Sequence, residues 1–214
     1  MVTPDKALPG HPGPVYQVGD GHVVLGSSLR GPWPGTESIY LGMGCFWGAE
    51  ELYWQQPGVV STSVGYQGGF SPNPTYEEVC TGMTGHAEVV HVAYDPARVS
   101  TYEVLRTFWE NHDPTQGMRQ GNDFGSQYRS VIYATTDEQL ALARATRDAY
   151  AGVVARHGYP AITTEIDGAA GHPYYLAEDY HQQYLAKVPN GYRCHANTGL
   201  PLPGLADIDD VIAG

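Results

Sequence analysis

The chain has 214 residues with 23 acidic and 11 basic side chains, a formal charge of −12. A surface of that sign repels phosphate backbones and anionic lipid headgroups, so nucleic acid and membrane surfaces are excluded as partners. No apolar run approaches the ~20 residues of a transmembrane helix, and no charged segment followed by an apolar one marks a secretory signal. The length suits one domain with a sizeable core. Three cysteines, an odd number, argue against a disulfide framework and for a reducing, cytoplasmic setting. There a cysteine is catalytic, metal-binding or buried. A monomer is expected.

Residues 1–36 read as an extension. Pro-Gly-His-Pro-Gly-Pro and Gly-Pro-Trp-Pro-Gly leave no room for a regular element. The segment is either an arm lying on the domain or a proline-rich partner ligand. The body, 37–188, alternates element types. Ser38–Met43 predicts a strand, Ala49–Gln56 a helix stopped by Pro57-Gly58, and Val59–Tyr66 a second strand. Gln67–Pro74 is a loop and Thr75–Cys80 a short helix. Ala87–Tyr94, with Val89, Val90 and Val92, predicts a strand ended by Asp95-Pro96. Ser100 with Glu103 forms a capping box for a helix through Glu110, on which Leu105, Phe108 and Trp109 share a face. A long loop, Asp113–Gln127, precedes a strand at Arg129–Ala134. Thr136 or Asp137 starts a helix reaching about His157. Ala161–Ile166 predicts a strand and Ala177–Lys187 a last helix. Residues 189–214 are a tail read as loop. The repeated strand-helix-strand order predicts an α/β (α+β) fold, a ferredoxin-like two-layer plait with a mixed or antiparallel sheet and long loops.

The reactive residues concentrate in a few segments. Cys45 lies where a strand gives way to a helix, between Gly44 and the aromatic pair Phe46-Trp47. A thiol at a helix N-terminus meets unpaired N–H groups and the positive end of the dipole, which favour thiolate. That points to a sulfur nucleophile beside an apolar wall, against the alternative of a buried structural cysteine. Glu88 begins an apolar strand. It is either a strand-end carboxylate in water or a desolvated carboxyl whose raised pKa lets it serve as an acid. Asp123 fits an ordinary turn, and Tyr76 and Tyr128 fit half-buried packing, equally well by spacing. Cys194, in a glycine- and asparagine-containing tail, could swing to another sulfur. Cys80, beside Val79 in an apparent helix, is expected to be buried and inert. Cys194-His195, His86, His91, His112 and His181 raise a metal option, but no C-x-x-C or H-E-x-x-H pattern supports one.

Taken together, these segments resemble the A-type peptide methionine sulfoxide reductases. The likeness runs through Gly44-Cys45-Phe46-Trp47-Gly48, Pro74-Thr75-Tyr76-Glu77-Glu78-Val79, Gly85-His86-Ala87-Glu88, His112-Asp113-Pro114-Thr115, Arg119 to Ser130, and Ala177 to Leu185. It covers roughly residues 37 to 195. The resemblance implies a ferredoxin-like core and reduction of methionine S-sulfoxide, free or in proteins. It implies Cys45 as nucleophile, Glu88 as acid, and Phe46 and Trp47 as the holders of the substrate methyl group. Tyr76, Tyr128 and Asp123 would hold the oxide and a water, and Cys194 would be the resolving cysteine. No metal or organic cofactor is implied; the reductant is an external dithiol such as thioredoxin. No cysteine follows Cys194, so a single Cys45–Cys194 disulfide is expected per turnover. A thiol peroxidase and a non-catalytic sensor of oxidised methionine are the competing readings.

Overall fold

The computed structural model describes residues 1–194 and 196–208. In chain order the elements are β1 (Glu37–Met43), α1 (Phe46–Trp54), β2 (Val59–Gln67), α2 (Tyr76–Cys80), β3 (Ala87–Tyr94) and α3 (Thr101–Glu110). There follow β4 (Arg119–Gln120), β5 (Asp123–Phe124), β6 (Ser130–Ala134), α4 (Asp137–Arg156), β7 (Glu165–Gly168), β8 (Tyr175–Leu176) and α5 (Tyr184–Lys187).

The six-stranded sheet has the order β7-β6-β1-β3-β2-β8, and β4 and β5 form a separate small hairpin. The inner four strands pair antiparallel, whereas β7 runs parallel to β6, so the sheet is mixed. β1-α1-β2 and β3-α3-β6 are the two interleaved units of the two-layer plait. All eight residues of β3 are buried, because both sheet faces are covered. On one face Leu41, Val64, Val90 and Val92 pack with Phe46 and Tyr53 of α1 and with Leu105, Phe108 and Trp109 of α3. Each such buried side chain stabilises the fold by about 1.5–3 kcal/mol. On the other face Val89, Val131 and Tyr133 pack with Tyr40 and Tyr174.

Residues 1–36 lie against the domain. His11 N–H donates to Pro72 O and its ring meets Glu78 at 3.1 Å. The Tyr16 hydroxyl donates to Leu176 O at 2.7 Å, and the buried His22 ring bonds Thr62 Oγ1 at 2.8 Å.

Several elements depart from the sequence expectation. α1 begins at Phe46, three residues early, with Cys45 as its N-cap. The loop before β6 contains the β4–β5 hairpin and a 3₁₀ turn at Ser126–Tyr128. The strand expected at Ala161–Ile166 forms only from Glu165, because the Thr163 N–H turns aside to Pro114 O. The expected eleven-residue last helix is reduced to one turn, Tyr184–Lys187. Gln183 is left-handed at φ 47°, and its neighbours spend their side chains on other elements. Gln182 bonds both Val64 N–H and Val64 C=O of β2, and Glu178 accepts from Tyr76 N–H. Residues 205–208 form a helical turn in what was read as loop. His195, part of the metal option, lies outside the described residues. Among the described residues no group of three or more His, Cys, Asp or Glu could hold a metal, and no helix is long and apolar enough to cross a membrane.

Candidate active site

α2, α3 and α4 each begin on a Thr or Ser whose hydroxyl accepts from the first turn. α1 begins instead on Cys45, with no such cap. Its free N–H groups are therefore available to the site. Phe46 N–H donates to Glu88 Oε2 at 3.0 Å, and Trp47 N–H is directed at the Cys45 thiol. Gly44 makes this entry possible. Its φ is +92°, and a Cβ there would stand 2.6 Å from the Gln120 side chain.

A cavity of about 220 Å³ is lined by Cys45, Phe46, Trp47, Tyr76, Glu88, Asp123, Tyr128 and Tyr192. Seven residues singled out from the sequence thus converge from α1, α2, β3, β5 and the turn at Ser126–Tyr128. Glu88 is 2% exposed. Burial, offset in part by the Phe46 N–H and raised again by the Asp123 charge, pushes its pKa from 4.5 up to about 8. Its carboxyl is thus mostly protonated at neutrality. Burial, then the neighbouring Glu88 charge, also push Cys45 well above its ordinary value, while the Trp47 N–H pulls it down. The helix N-terminus does not win here: the resting group is a thiol, not the thiolate expected from sequence. Burial and Glu88 likewise raise the hydroxyls of Tyr76 and Tyr128, which remain donors. Asp123 is raised by burial and accepts from Tyr192 Oη at 3.1 Å.

Beside the cavity is an aromatic group that the sequence reading missed. Trp47 stacks on Tyr184 at 3.9 Å between ring centroids, and its indole Nε1–H donates to His181 Nδ1 at 3.0 Å. An indole can only donate, so His181 carries its proton on Nε2. Burial lowers the His181 pKa to about 4, keeping it neutral. His181 also packs on Phe46 at 5.1 Å and Tyr76 at 4.6 Å. The available signal was Tyr180-His181 and Tyr184 in the run read as a helix, and Tyr192 two residues before Cys194.

Cys194 does not line this cavity. It lies across Cys45 from it, in a second cavity of about 200 Å³ that Cys45 also lines, with its Sγ 3.6 Å from Gln120 O. Cys80 is exposed rather than buried, and its thiol receives the Tyr76 hydroxyl hydrogen bond. It ends a helix of five residues, too short to bury its last side chain.

Fold and site together define a cysteine-dependent oxidoreductase: one half-buried thiol with a carboxylic acid and two phenols on one side and a second thiol on the other. Comparison with known proteins agrees. The model of the peptide methionine sulfoxide reductase family matches residues 37–202. Relatives named peptide methionine sulfoxide reductase MsrA include that of Salinispora tropica, 60% identical over 98% of this chain and 96% of its own length. That of Vibrio cholerae is 57% identical over 95% of each. Methionine sulfoxide reductase A of Corynebacterium diphtheriae superposes with a TM-score of 0.86 at 51% identity, covering 95% of this chain and 99% of that one. Reduced Mxr1 from Saccharomyces cerevisiae gives 0.70 at 34% identity, over 81% of this chain and 96% of its own. The chain belongs to the peptide methionine sulfoxide reductase family.

Proposed function

We propose that the protein reduces methionine S-sulfoxide, free or within proteins, to methionine, with Cys45 as nucleophile and Glu88 as acid. The observation that carries this reading is the cavity joining the Cys45 thiol, the protonated Glu88 carboxyl and the Phe46–Trp47 wall. The substrate methyl group packs on the Trp47 and Phe46 faces. The oxide points toward Glu88, Tyr76 and Tyr128; the Tyr76 hydroxyl turns its one proton from Cys80 to the oxide, so that all three act like oxyanion donors. Glu88 passes its proton to the oxide, which makes the sulfur electrophilic, and the carboxylate so formed receives the Cys45 proton. Cys45 sulfur attacks that sulfur, forming an S–S bond to the hydroxyl-bearing substrate sulfur. The hydroxyl then passes to the Cys45 sulfur as the S–O and S–S bonds both break, methionine leaves with the S–S electron pair, and Cys45 is left as a sulfenic acid. Asp123, held by Tyr192, orients a water at the mouth of the cavity.

The Cys194 thiol then displaces the hydroxyl. An S–S bond forms, the sulfenic S–O bond breaks, and water leaves with the thiol proton. An external dithiol of the thioredoxin kind reduces the Cys45–Cys194 disulfide and restores both thiols. No metal or organic cofactor enters, and the reducing poise required fits the cytoplasm.

The test is methionine formation from the separated S and R epimers of a blocked methionine sulfoxide with dithiothreitol. Conversion of the S epimer alone, abolished in Cys45→Ser, is expected. Peroxide consumption without sulfoxide turnover would instead make the protein a thiol peroxidase.

A further inference from the structure

Among the described residues, the tail that carries Cys194 has no regular structure of its own between α5 and residue 205. One side chain ties it to the helix that Cys45 begins. The Arg193 guanidinium forms a two-pronged ion pair with Glu51 of α1, Nε to Oε2 at 2.6 Å and Nη2 to Oε1 at 2.7 Å. Its remaining nitrogen, Nη1, donates back to Pro189 O at 2.8 Å and Gly191 O at 3.3 Å. Arg193 thus folds residues 189–193 into a loop and pins that loop to α1 in one stroke. A planar guanidinium can do this; a lysine ammonium cannot reproduce the fork. The pair is only partly exposed, at 29% and 21% of the side chains, so solvent screens it incompletely.

Position gives the pair its consequence. Glu51 lies six residues after Cys45 on the same short helix, and Arg193 is bonded directly to Cys194. All four line the second cavity, away from the sulfoxide side. Met43 and Leu52 also line that cavity. A tail thiol held beside its target reacts as an intramolecular partner at high effective concentration, and a loose one does not.

We propose that the Glu51–Arg193 pair is the positioning device for the resolving step, holding Cys194 where its thiol meets the Cys45 sulfenic acid. This rests on the Cys45–Cys194 relay proposed above. Glu51 and Arg193 act through Cys194 and touch neither the sulfoxide nor the transferred oxygen. Their loss therefore separates the two half-reactions: methionine release is untouched, and disulfide closure slows.

The experiment is rapid quench of the reduced full-length protein with excess sulfoxide and no reductant. Methionine is followed by chromatography, the sulfenic acid by dimedone adduct mass, and the disulfide by peptide mapping. In Glu51→Gln and Arg193→Lys the methionine burst keeps the parental rate, while closure slows about tenfold and dimedone captures correspondingly more Cys45. The double exchange Glu51→Arg with Arg193→Glu recovers closure, and added salt slows closure in the parent but not in the single variants. Parental closure rates in both single variants would overturn the latch while leaving the relay intact. Equal slowing of burst and closure would also overturn it, by making Glu51 a support of α1 alone. Absence of any Cys45–Cys194 disulfide in the parent would remove the relay and the latch together.

Discussion

Glu88 sits on a strand that is buried along its whole length, and at 2% exposure little solvent is left to share its charge. With its pKa near 8, the acid form outnumbers the carboxylate by about ten to one at pH 7. Sulfoxide reduction is therefore expected to fall as pH rises through about 8. In Glu88→Gln that alkaline limb disappears and the plateau drops by about 10²–10⁴, as for loss of a general acid. The check is the pH profile of single-turnover methionine formation. Because the Glu88 charge also raises the Cys45 thiol, alkylation of Cys45 at pH 9 is expected to be faster in Glu88→Gln than in the parent. A second residue-scale requirement is Gly44. Any side chain there meets Gln120, which is itself held by Asp113 N–H at 3.0 Å and donates to Asp113 O at 2.9 Å. Gly44→Ala should cost about 1–3 kcal/mol from the positive φ and the crowding. Activity should fall more than stability, since Cys45 is the next residue. Denaturant midpoints compared with the methionine burst rate measure the two separately.

At the scale of elements, α1 is held in the domain by a buried polar anchor five residues after Cys45. Glu50 is fully buried and accepts from Thr62 Oγ1 at 2.9 Å, Gln183 N–H at 2.8 Å and Gln183 Nε2 at 2.8 Å. The His22 Nδ1 accepts from Val24 and Leu25 N–H groups, so its Nε2 carries the proton and donates to Thr62. Donors thus run from the N-terminal arm through β2 to one carboxyl, and on to the left-handed Gln183 between His181 and Tyr184. The site's aromatic wall depends on this chain, because His181 and Tyr184 are the two rings that hold Trp47. Glu50→Ala strands several buried donors at once, and a loss of about 3–5 kcal/mol is expected. Sulfoxide KM should rise with little change in the burst rate at saturation, because Cys45 and Glu88 keep their own contacts. Hydrogen exchange at the Gln183 amide reports the same event directly. It should quicken in Glu50→Ala and also in a chain shortened to begin at residue 37.

For the whole molecule, two buried carboxyls set the pH response of stability. Burial raises Glu50 from 4.5 to about 7 against the pull of its donors, and Glu88 to about 8. A carboxyl whose folded pKa is raised contributes its stability below the unfolded value, and that contribution is lost as pH rises through the folded one. The protein should therefore lose stability progressively between about pH 4.5 and pH 8. Glu88→Gln should flatten the upper part of that decline in urea midpoints taken at pH 5, 7 and 9. The net charge of −12 acts in the same direction, since self-repulsion grows as the last carboxyls ionise. Much of this molecule was written locally. The Ser100–Glu103 capping box, the valines of β3 and the glycine-flanked Cys45 each announce their element through short-range rules, so the plait and the candidate thiol at the start of α1 were legible. The segment 177–188 was not, because its helical spacing is real. Gln182, Gln183 and Glu178 find better partners on β2, α1 and α2 than a helix would give them, and no local rule contains those partners. The charge states were undecidable for the same reason. A helix start favours thiolate, and a glutamate opening an apolar strand fits a solvated carboxylate or a desolvated acid equally well; burial raises the pKa of both Cys45 and Glu88. The sequence alone brought out Cys45, Glu88, Asp123, Phe46, Trp47, Tyr76 and Tyr128, but not the His181, Tyr184 and Tyr192 rings beside them. Only the tertiary structure decided their protonation and which of them face one another, because desolvation depends on what is packed around a group and not on its neighbours in the chain.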